Sequence, residues 1–113
     1  PELTQALLQF RDERNWAQFH TLRNLIVSLN LEAAELLELT QWKSEEEMLD
    51  ISSEALRDEC ADVLLYLLLI ADKAGINLEE AARNKLKKNA AKYPIEKSYG
   101  SSRKYTQLDL RED

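Results

Sequence analysis

Apolar positions along this chain recur at intervals of three and four residues, the spacing of a helix with one buried stripe. Leu3, Leu7 and Phe10 share one stripe of a first helix expected to run to about Trp16. A second helix starts near Thr21, where Leu22, Leu25, Ile26, Leu29, Ala33, Leu36 and Leu37 recur at helical spacing as far as Trp42. Ser44 and Glu47 have the spacing of a capping box and open a short helix. A new start near Ser53 leads into a long third helix ending at Gly75, a residue suited to the left-handed backbone that terminates helices. Asn77 with Glu80 forms another capping pair, opening a fourth helix. That helix stops before Pro94, because the residue ahead of a proline is pushed out of the helical region. The pattern divides the chain into an all-α domain, residues 1–94, and a C-terminal arm, residues 95–113.

Composition sharpens this picture. Two glycines and two prolines in 113 residues are too few to turn a β-rich chain at regular intervals. The expected fold is all-α, a bundle of four main helices. The third helix is the anomaly, since from Cys60 to Ala71 only Asp62 is charged. A helix apolar nearly all round needs cover on every side. One chain of this size can hardly supply it, so homo-oligomerisation is expected to complete the bundle.

Charge and cysteine usage remove whole classes of function. A net charge of −6, from 21 acids and 15 bases, disfavours non-specific binding to nucleic acid or an anionic membrane. Cys60 is the single cysteine, so no intrachain disulfide can form, and with one histidine there is no ordinary structural zinc site. The first residues, PELTQALLQF, lack the basic-then-apolar pattern of a secretory signal. The longest apolar run, VLLYLLLIA, falls well short of the ~20 residues that span a bilayer. A cytoplasmic protein is expected.

The candidate chemistry lies in two acid pairs. Glu32 and Glu35 sit three residues apart in LEAAELLE, and Glu59 and Asp62 repeat that spacing in ECAD. Three residues along a helix turn the chain by ~300°, leaving each pair ~60° apart on one face. If the second and third helices pack antiparallel, the pairs converge into one cluster. Four carboxylates at such range cannot all stay ionised unless a cation joins them. Oxygen-only ligands suit Mg²⁺, or Mn²⁺ in its place, rather than zinc. The alternative is a solvated acidic face paired with lysines. Against it, no lysine or arginine lies between Asn24 and Gln41, and the residues one turn on are mostly apolar.

These residues also carry a resemblance. The stretches RNWAQFHTLRNL (14–25), LEAAELLELTQWK (31–43), RDECADVLLYLL (57–68), KLKKNAAKYP (85–94) and SSRKYTQL (101–108) resemble the MazG-like, all-α NTP pyrophosphohydrolases, most nearly the dCTP pyrophosphatase branch. The resemblance implies Mg²⁺-dependent hydrolysis of a nucleoside triphosphate between its α- and β-phosphates, and a dimer or a tetramer built from two dimers. It implies Glu32, Glu35, Glu59 and Asp62 as metal ligands, with Glu38 a lesser candidate for orienting water. It places Lys85, Asn89, Arg103 and Lys104 near the phosphates, the last two with Tyr105 in an arm closing over a site. It places Trp16, His20, Trp42 and Tyr66 on the nucleoside side.

Two positions depart from the family pattern. Leu31 stands where a doubled glutamate is common, and Leu7 stands where cytosine-selecting members carry a histidine. A broader deoxynucleotide range, or a modified pyrimidine, is therefore open. Related all-α enzymes acting on dUTP or phosphoribosyl-ATP use the same kind of acid cluster. A non-catalytic helical oligomerisation module, with its acids as interface polar groups, is the alternative from a different class.

Overall fold

The computed structural model describes residues 2–50 and 54–100, and every regular element among them is helical. In chain order these are α1 (Glu2–Glu13), α2 (Leu22–Glu38), α3 (Glu45–Asp50), α4 (Glu54–Ala74), α5 (Leu78–Lys92) and α6 (Ile95–Ser98). A short 3-10 turn, Ala17–Phe19, joins the first two. The all-α expectation holds. By its internal packing the chain divides after Ile76 into two compact units.

In the first unit the helices begin where side chains can satisfy free backbone N–H groups. The Thr21 hydroxyl accepts from the Asn24 N–H at 3.1 Å and starts α2. Ser44 Oγ accepts from the Glu47 N–H at 3.2 Å while Glu47 Oε1 receives the Ser44 N–H at 3.5 Å, the reciprocal arrangement expected for α3. The start expected near Ser53 lies outside the described residues.

Helix ends are closed by left-handed residues. Gly75, at φ +69°, ends α4, with the Ile76 N–H bonded to Ala71 O at 2.8 Å. Asn15, at φ +54°, does the same for α1, where the Trp16 N–H reaches Arg11 O at 3.1 Å. The first helix thus stops at Glu13 instead of continuing to Trp16, because asparagine tolerates the left-handed region better than most residues. The second helix stops at Glu38, short of Trp42. A run of turns follows, held by the Thr40 hydroxyl donating to Leu37 O at 2.7 Å, and Trp42 itself takes φ +64°.

Packing centres on α2 and α4, which meet along their lengths, with α1 laid against α4. Leu25, only 2% exposed, and Leu69 and Ala71 are the fully buried apolar residues among those described. Each large side chain so buried contributes on the order of 1.5–3 kcal/mol. Much apolar surface is left uncovered: Leu22 and Ile26 on α2, and Leu64 and Leu67 on α4, are all exposed. Spaced one turn apart, they form rows of the kind that mark contact surfaces.

In the second unit, Asn77 Oδ1 accepts the Glu80 N–H at 3.1 Å and starts α5, which ends ahead of Pro94. Pro94 then begins α6, so the first residues of the expected arm are one turn of helix. Among the described residues no helix is long and apolar enough to cross a membrane.

Candidate functional site

The two acid pairs meet across the α2–α4 seam. Carboxylate oxygens of Glu32, Glu59 and Asp62 all lie within 4.8 Å of one another. Glu32 is in the later half of α2 and Glu59 in the first turns of α4, which is the convergence that an antiparallel pair allows. Glu35, one turn beyond Glu32, interacts with both glutamates and adds its charge to theirs.

Electrostatics reflect this crowding. Desolvation, followed by the hydrogen-bonding contact with Glu59 and the charges of Glu35 and Asp62, pushes the Glu32 carboxyl up to about 7. Glu59 is raised as well, first by desolvation and then by Glu35 and Asp62, while its contact with Glu32 pulls the other way. The two carboxyls titrate as one pair, and both are held above the ordinary carboxylate range by desolvation and by the neighbouring acids.

The residues fit a bound cation. Oε2 of Glu32 and Oε2 of Glu59 are both buried without a hydrogen-bond partner. Buried acceptors left unmatched cost on the order of 1–3 kcal/mol each, more when charged. A positive ion among them would remove that cost, and an all-oxygen donor set suits a hard divalent cation.

Beside the cluster lies a cavity of about 210 Å³ between α1 and α4. Asp62 belongs to both cluster and cavity, and Leu65, Tyr66 and Leu69 extend its stripe along α4. Trp16 and His20 close the cavity from the segment between α1 and α2. The Trp16 ring meets Phe10 edge-to-face, with centroids 5.7 Å apart and planes at 73°. Arg14 lies over Phe10 at 3.6 Å from the ring centroid, and its Nη1 donates to Phe10 O at 2.9 Å. The left-handed Asn15 turns the chain so that Trp16 can fold back on the last turn of α1. His20 Nδ1 is buried without a partner, and burial together with the Arg11 and Lys73 charges lowers its pKa and favours the neutral ring.

The sequence matches the MazG-like family over residues 27–108, most of the chain. The chain belongs to the MazG-like family. It is 41% identical over 105 residues to the mouse (Mus musculus) protein named dCTP pyrophosphatase 1, covering 88% of this chain and 62% of that protein. It is 40% identical to the human (Homo sapiens) protein of that name, with the same coverage. The chain therefore spans less than two thirds of the length of these relatives. It also resembles the crystal structure of a pyrophosphatase from Archaeoglobus fulgidus at 46% identity and a TM-score of 0.78, over 82% of this chain and 90% of that one.

Within this MazG-like chain the expected site residues are distributed unevenly. Glu32, Glu59 and Asp62 come together, with Glu35 alongside. Glu38 is exposed one turn further along α2, outside the cluster. Trp16, His20 and Tyr66 line one cavity, whereas Trp42 is 93% exposed beyond the end of α2 and lines none of it. Lys85 and Asn89 occupy successive turns of α5 in the second unit, Lys85 exposed and Asn89 half-buried. Arg103, Lys104 and Tyr105 lie outside the described residues. Arg11, which is not among the expected site residues, also lines the cavity. The signal was present: Arg11 follows Leu7 by four residues on the stripe that faces α4.

Proposed function

We propose that this chain is a Mg²⁺-dependent nucleoside triphosphate pyrophosphohydrolase, with Mn²⁺ a workable substitute. It cleaves the α–β phosphoanhydride of dCTP or a related deoxynucleotide to the monophosphate and pyrophosphate, clearing unwanted nucleotides from the pool. The reading rests on the carboxylates of Glu32, Glu59 and Asp62 converging at the edge of an aromatic-walled cavity. The names of the relatives and of the Archaeoglobus fulgidus structure support it.

Glu32, Glu35, Glu59 and Asp62 would hold the metal, which when bound neutralises phosphate charge and lowers the pKa of a coordinated water. A carboxylate of the cluster, with Glu38 the neighbouring alternative, orients the attacking water and takes its proton. The water oxygen bonds to phosphorus as the bridging P–O bond breaks. Trp16 and Tyr66 offer ring faces to the base, a contact worth ~1–3 kcal/mol per stacked base. Lys85, Asn89, Arg103 and Lys104 are the phosphate contacts that the resemblance to the family implies. The exposed rows Leu22/Ile26 and Leu64/Leu67 favour association of copies as a dimer or a dimer of dimers.

The test is pyrophosphate release from a panel of dNTPs and NTPs with Mg²⁺, beside Glu59→Gln, which keeps side-chain size and removes one ligand charge. The parent should release pyrophosphate, and the variant should lose on the order of 10–100-fold or more. Folded parent protein that releases none from any nucleotide overturns the assignment.

A further inference from the structure

The cavity has a polar end that the stacking residues do not use. Its α4 wall is the stripe Asp62, Leu65, Tyr66 and Leu69, which advances ~10 Å along the helix axis at 1.5 Å per residue. The carboxylate cluster lies at the Asp62 end. Arg11 belongs to the other end, since it is close enough to Asp72, in the last turns of α4, to feel that charge. A nucleotide with its phosphates at the carboxylates and its base along the stripe directs the base edge at Arg11.

Arg11 is built to present a fork. Its Nε donates to Asp12 Oδ1 at 2.8 Å, and its side chain is only 22% exposed. Among the described residues no acceptor bonds its two terminal nitrogens, so a pair of parallel donors is held beside the cavity by a bond made at Nε. His20 lies close enough for the Arg11 charge to act on it, and the buried, unpartnered Nδ1 of its neutral ring can accept a hydrogen bond.

Two adjacent donors and one acceptor form a pattern, and the bases answer it differently. Cytosine presents an amino donor followed by two adjacent acceptors, N3 and O2. Uracil and thymine present an acceptor, a donor and an acceptor, so N3–H meets a guanidinium donor and O4 meets His20 Nδ1. We infer that Arg11, with His20, reads the polar edge of the base and selects cytosine over uracil and thymine. Arg11 is a specificity residue, a role with no counterpart among the stacking aromatics. It offers a polar reader on the same helical stripe as Leu7, one turn on. The inference rests on the proposed placement of a nucleotide with its phosphates at the carboxylate cluster.

The experiment compares the binding of dCMP and dUMP, which share sugar and phosphate and differ only along this edge. Calorimetry on the full chain with Mg²⁺ present gives both affinities for the parent, Arg11→Met and Arg11→Lys, with circular dichroism confirming that each is folded. The parent should bind dCMP at least about tenfold more tightly than dUMP, the discrimination typical of a bidentate arginine contact. Arg11→Met should lose about that factor for dCMP while dUMP changes less than about twofold. Arg11→Lys, which keeps the charge but not the fork, should fail to restore dCMP binding. An unchanged dCMP/dUMP ratio in Arg11→Met, an equal loss for both nucleotides, or no preference in the parent overturns the inference. Pyrophosphate release by the parent, measured alongside, separates failure of the base reader from failure of the pyrophosphohydrolase assignment.

Discussion

Glu32 on α2 and Glu59 on α4 face each other across the helix seam, each with Oε2 buried and unbonded. Two helices that otherwise join through apolar contact thus place like charges at the same point. Such an arrangement opposes folding unless a proton or a cation is held there, so the site is a cost that ligand binding repays.

Glu32→Gln should therefore stabilise the metal-free protein while weakening its response to metal. The amide removes one of the crowded charges at nearly constant volume. By differential scanning fluorimetry without divalent ions, the variant should melt a few degrees above the parent. With millimolar Mg²⁺ the parent should gain stability and the variant little or none. A variant that melts below the parent in chelator would contradict the picture of like-charge strain.

His20 sets a pH dependence of known sign. Its pKa is lowered by burial first, then by Arg11 and Lys73, so the native state binds a proton less readily than the unfolded chain, whose histidine titrates near 6.5. Stability from this group is fully present above the unfolded value and is lost as pH falls through the lowered native one. Between pH 7.5 and 5 the melting temperature of the parent should fall more steeply than that of His20→Asn. Parallel slopes would remove His20 as the cause.

Arg14→Ala should loosen Trp16 without unfolding the chain. The guanidinium lies over Phe10 and near the Trp16 ring, at 3.6 and 6.0 Å from the two centroids. An exposed contact of this type is worth ~0.5–1 kcal/mol. A small drop in urea midpoint should accompany lower Trp16 fluorescence anisotropy, read in a Trp42→Phe background. Unchanged anisotropy would mean that Phe10 alone fixes the indole.

Gly75→Ala isolates backbone strain. Gly75 has φ +69°, and a Cβ added there meets nothing within 4 Å. The substitution should cost about 1–2 kcal/mol in urea denaturation, because a left-handed backbone is unfavourable for an L-residue even in open space. A neutral result would show that the α4 terminus relaxes to another conformation.

Much of the local fold was legible because its causes are local. Thr21, Ser44 and Asn77 cap helices through side chains three residues from their targets, and such spacing is visible in sequence. The ends of α1 and α2 were less legible. Asn15 and Trp42 adopt left-handed backbone where a glycine would have announced the turn, and the sequence supplies none at either place. The acid pairs were legible as facing sets, but their spacing alone does not decide which oxygens meet. The structure groups Glu32 with Glu59 and Asp62, with Glu35 beside them.

By itself, then, the sequence determined the all-helical class, the caps at Thr21, Ser44 and Asn77 and the presence of carboxylates on faces too apolar to suit them, since these follow from spacings of three to four residues. The tertiary structure alone decided that Asp62 belongs both to an acid cluster and to a cavity, and that Arg11, Trp16 and His20 line the same cavity while Trp42 stands outside. Those relationships join residues more than fifty positions apart, Arg11 and Asp62 among them. They depend on how α1 and α2 pack against α4, and helical period carries no information about which side chains meet across a seam.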